Sequence, residues 1–213
     1  MKSFYLVVIA LFFTLNTVSA QKKNPDPDFG VLVKELTKAA KKGQNMTQII
    51  CFPQVYWEIV FKDNPGVDQQ LVKEIQNSFA NYEMFLAFDV EIDVNGFNKN
   101  NIETFEILYQ DQKLTPIKDY DPELRMFLNY VQPMFKQMMG QLGESIEVFV
   151  FDNQKKIFPS AFDNAKIEVI MNSQVFTYRL PISELVLKKK CPVDNEKLNG
   201  SWHFCPWHGV KLN

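Results

Sequence analysis

The chain has 213 residues, 46% of them hydrophobic, with 19 phenylalanines and a formal net charge of −2. That apolar payload excludes an intrinsically disordered chain. The faint acidity gives no electrostatic basis for a nucleic-acid partner, and the one basic run, Lys188-Lys189-Lys190, reads as a solvated face.

Taken in chain order, residues 1–20 carry the parts of an export signal: a cation at Lys2, an apolar run from Phe4 to Leu15, and small residues Ser19 and Ala20 before Gln21. The run is shorter than the roughly 20 residues that span a bilayer, so the expectation is a cleaved signal peptide and an exported chain, periplasmic or secreted. No later stretch is apolar for long enough to make a transmembrane segment after cleavage. Residues 21–27, polar with two prolines, read as a disordered leader to an α+β body at 28–187, with a small tail at 188–213.

Gly30 to Lys42 has apolar residues near helical spacing and a basic stop, which predicts a helix. Ile49 to Phe61 is ambiguous between strand and helix, and the prolyl start at Pro53 favours a helix from Gln54 to Phe61. Val67 to Phe79 places Leu71, Val72, Ile75 and Phe79 on one helical face. The period then changes. Phe88 to Val94 alternates apolar and acidic residues, the pattern of a half-buried strand, and Asn95-Gly96 marks a turn. Ile102–Tyr109 and Ile146–Phe151 read as strands, and Ile167–Met171 with Val175–Leu180 as a hairpin about Asn172-Ser173-Gln174. Pro122 to Met139 reads as a helix that starts at one proline and carries another, Pro133. Together these predict an antiparallel sheet or Ig-like sandwich with N-terminal helices and a helical insertion, and no internal repeat is evident.

The metal-ligand chemistry is crowded into the tail. Cys191-x-x-Asp194 and Cys205-x-x-His208 are pairs whose spacing lets both members of each face one ion, with His203 as a substitute for Asp194. The Cys-Pro starts and the Phe-Cys-Pro-x-x-Gly end make residues 191–213 resemble a zinc ribbon, with Asp194 and His208 standing where that family has cysteines. The resemblance implies a structural or interaction element. The competing reading is a Cys191–Cys205 disulfide, which two neighbouring cysteines can form outside the cytoplasm and which excludes a metal, since a metal needs their thiolates. Either bond makes the tail a staple.

Elsewhere the signals are weaker. Cys51, between Ile50 and Phe52, reads as a buried small hydrophobe. Asp89-x-Glu91-x-Asp93-x-Asn95-Gly96 mimics a calcium loop, but the twelfth position is Ile102, which cannot supply the closing carboxylate. Met134, Met138 and Met139, and Trp202 and Trp207 in the tail, form the candidate partner surface. No catalytic set is evident in the body, so the expected function is an exported, non-catalytic binding or envelope-structure protein, with an unknown protein or envelope component as partner. The alternative is a metal-dependent hydrolase with an open zinc position and Glu196 or Asp194 as base.

Overall fold

The computed structural model describes residues 22–62, 73, 76–77 and 79–212. The expected signal peptide and most of the helix expected at Val67–Phe79 lie outside the described residues. Within them the chain is an α+β fold of antiparallel sheets and packed helices, as the sequence predicts.

Helix α1 (Phe29–Leu36) begins at Asp28, whose carboxylate accepts the Val31 N–H at 3.0 Å and so caps an otherwise orphaned donor. The helix stops at Leu36 instead of running to Lys42. Thr37–Lys42 is strand β1, which turns at Gly43, φ 62°, into β2 (Asn45–Phe52). The lysines read as a helical stop are therefore the wet positions of a sheet edge, where charge discourages further strand pairing. Helix α2 (Gln54–Lys62) follows Pro53, as its prolyl start suggests. Then come β3 (Tyr82–Asp93), β4 (Gly96–Lys99), β5 (Phe105–Tyr109) and β6 (Gln112–Leu114). Helices α3 (Pro122–Met139) and α4 (Gln141–Glu144) precede β7 (Glu147–Asp152), β8 (Lys166–Met171) and β9 (Gln174–Arg179). The last pair, β10 (Lys189–Lys190) and β11 (Lys197–Leu198), belongs to the tail.

The long β3 organises the first sheet: β2 runs along one side of it, and β7 and β4 share the other. The second sheet has the order β6-β5-β8-β9. The two sheets bury one apolar core between them, in which Phe85, Ala87 and Phe151 from the first meet Phe105, Val169 and Tyr178 from the second. Leu124 and Leu128 of α3 cover Met84 and Val150 on the outer side of the first sheet, which accounts for the helical insertion.

The leader is not free. Lys23 bridges Val186, and the Asn24 N–H donates to the Leu185 carbonyl at 2.8 Å. Buried Glu184 accepts the Asp28 N–H at 2.9 Å. Residues 22–28 are thus strapped along 184–187 in place of the disordered leader expected, because a buried carboxylate that needs donors finds them there. Among the described residues no helix is long and apolar enough to cross a membrane.

Candidate metal centre

The tail is built from two copies of one turn. In the first, the Asn195 N–H donates to the Cys191 carbonyl at 2.8 Å and the Cys191 N–H to the Glu196 carbonyl at 2.9 Å. In the second, Gly209 donates to Cys205 at 2.8 Å and Cys205 to Val210 at 2.8 Å. The residue that closes each turn sits in the left-handed region, φ 62° at Asn195 and 65° at Gly209. Asparagine and glycine are the residues that enter this region most readily. Aligning Cys191–Leu198 with Cys205–Leu212 shows why the two match: Cys, Pro, Lys and Leu recur at the same places, fourteen positions apart. The repeat is visible in the sequence once the turns are known, although the sequence reading finds none.

Each turn folds over its own cysteine. The backbone N–H groups of Val193 and Asp194 point at the Cys191 sulfur, and those of Trp207 and His208 at the Cys205 sulfur. Cys191, Leu198, Cys205 and Leu212 pack together as a small buried core. Three potential ligand atoms result, the two sulfurs and a ring nitrogen of His208, all within 4.8 Å of one another. His208 Nδ1 lies 3.3 Å from the Cys191 sulfur and 3.5 Å from that of Cys205. Sulfur at about 2.3 Å and nitrogen at about 2.0 Å from one tetrahedral ion stand about 3.5 Å apart, so Cys191, Cys205 and His208 together could hold a metal ion. All three cysteines are unbridged thiols here.

Electrostatics separates the two cysteines. Loss of water raises the Cys191 pKa, as do the adjoining Asp194 and Cys205 side chains, against two backbone donors. Loss of water also opposes the Cys205 thiolate. The N–H groups of His208 and Trp207, with the His208 ring and the Cys191 thiol, outweigh that effect and pull the Cys205 pKa down. Asp194 is held below the usual carboxylate range by the Glu196 N–H first and by the Cys191 thiol next, with His208 adding a smaller effect. Its Oδ2 is 3.8 Å from His208 Nδ1, slightly beyond the about 3.3 Å expected of two ligands on one ion. It therefore stands at the rim of the cluster, at the position in its turn that His208 occupies in the other.

His203 is not brought in. It faces a separate open cleft of about 850 Å³ between the tail and the second sheet. Trp202, Phe204 and Trp207 are exposed, with Trp207 69% accessible. Met139 is also exposed, while the side chains of Met134 and Met138 lie outside the described residues. Cys51 abuts Glu83 and Tyr178, and burial pushes its thiol well above the ordinary range, as suits an inert core cysteine. Asp89 and Glu91 lie on β3 as the strand reading has them. Compared with family models, curated proteins and solved structures, the chain matches none.

Proposed function

We propose that the tail holds one structural zinc ion on Cys191, Cys205 and His208, with Asp194 swinging in as the fourth ligand, and that the protein is an exported, non-catalytic binding or envelope-structure protein stapled at its C-terminus by that metal. One observation carries the reading: the same hydrogen-bonded turn occurs twice and delivers one cysteine and one further ligand candidate from each copy. Two thiolates with an imidazole and a carboxylate are a borderline-soft set that suits zinc, and four protein ligands make the closed shell of a structural site. The backbone donors at each sulfur stabilise the thiolates that a metal requires. Export is supported by the amino-terminal pattern of Lys2, the apolar run and Ala20.

Native mass spectrometry on the purified protein, with thiols titrated on the same sample, tests the assignment. One zinc per chain, lost in Cys205→Ser and with no loss of thiol count in the parent, is the expected result. A metal-free chain two protons lighter than the reduced mass, with peptide mapping at Cys191–Cys205, would replace the zinc by the disulfide.

A further inference from the structure

The cleft that takes in His203 has a chemistry of its own. Its far wall is Lys166 at the start of β8, Thr177 to Arg179 at the end of β9 and Lys38 of β1, and its near wall is the tail loop carrying Asn199, Ser201 and His203. Lys166 and Arg179 are directly opposed residues of β8 and β9, so two like charges face each other across the ladder, an arrangement that by itself destabilises a sheet. Lys166 is offset by Glu168, 2.5 Å away. Arg179 has no carboxylate within ion-pair distance among the described residues, and the Lys38 ammonium, over the Tyr178 ring at 5.3 Å, has none either. Among the described residues the one acid on the cleft wall, Glu35, is already engaged by the Ser183 hydroxyl and the Glu184 N–H.

We infer that this cleft is a binding site for a small polyanionic ligand, its carboxylate or phosphate groups held by Arg179 and Lys38, with Lys166 adding charge and Asn199, Ser201 and His203 closing the tail side. The guanidinium fork matches an oxyanion with two parallel hydrogen bonds, and the volume suits a small-molecule ligand. Opposed cations on neighbouring strands are explained when an anion lies between them. The inference does not rest on the identity of the metal, because all three cations belong to the body.

The test is calorimetric titration at low ionic strength, where screening is weakest, with inorganic pyrophosphate and with citrate as probes. Saturable 1:1 binding of at least one probe is expected, weakened about tenfold or more in Arg179→Gln and in Lys38→Gln. Arg179→Lys should recover part of the loss, and Lys113→Gln, in a distant ion pair with Glu106, should bind as the parent does. Binding of pyrophosphate alone identifies a phosphate ligand and binding of citrate alone a carboxylate; either supports the site. Circular dichroism of each variant separates lost binding from lost fold. No saturable binding of either probe, or binding that Arg179→Gln leaves unchanged in a folded protein, overturns the inference.

Discussion

At positions 195 and 209 the backbone makes the same left-handed turn with different side chains, Asn in one copy and Gly in the other. Any Cβ is disfavoured there, so Gly209→Val should cost about 1–2 kcal/mol and weaken metal retention, read by competition with a chelator. Asn195→Gly should leave retention unchanged or improve it. In the body, Glu83 is the residue whose ionisation matters most. Burial raises its pKa to about 8 from 4.5, with Lys156 and the Asn153 amide opposing that rise. The folded state therefore holds the proton more tightly than the unfolded chain. The contribution of Glu83 to stability is full below about 4.5 and falls as pH rises towards 8. The slope is at most about 1.4 kcal/mol per pH unit, reduced by the partial solvent access that Glu83 keeps. Glu83→Gln should flatten that decline, measured as urea midpoints across the range.

The tail hairpin meets the body through Gly200, where a Cβ would stand 2.3 Å from the Leu187 carbonyl oxygen and 2.8 Å from Val186 Cγ2. Those are backbone and packed side-chain atoms that cannot easily move. Gly200→Ala should thus separate the two elements, seen as faster hydrogen exchange at residues 197–212 with the sandwich still protected. The elements that were legible in the sequence are those with one wet face or a plain end signal. In β3 the Asp89 and Glu91 alternation survives folding, α3 starts at Pro122 as read, and the Asn172-Ser173 turn joins β8 to β9. β1 and β2 were not legible. In β2 Ile49 and Cys51 face the sandwich core while Ile50 packs under α1 and α2, so both faces are apolar and no alternation remains. β1 carries Ala39-Ala40 between lysines, a composition that favours a helix locally, and it becomes a strand only through pairing with β2.

Across the whole molecule the apolar core lies between the two sheets and under the helices, while the tail has its own small core around Cys191 and Cys205. Chelation should therefore loosen the tail while the sandwich keeps its melting transition, followed by tryptophan fluorescence at Trp202 and Trp207 against far-UV dichroism. The candidate ligands Cys191, Cys205 and His208 were legible because cysteine and histidine are scarce and spaced in pairs. The cleft was not, since Lys38 is far in sequence from the β8–β9 hairpin that opposes Lys166 and Arg179, and only the packing of β1 brings it there. The duplicated turn was hidden because four of its eight positions differ, including the fourth, where Asp194 stands in one copy and His208 in the other. X-ray absorption at the zinc edge of the protein reads the ligand set directly. Two sulfur neighbours at about 2.3 Å and two nitrogen or oxygen neighbours at about 2.0 Å are expected; a shell without sulfur, or no bound zinc to measure, would contradict the zinc assignment.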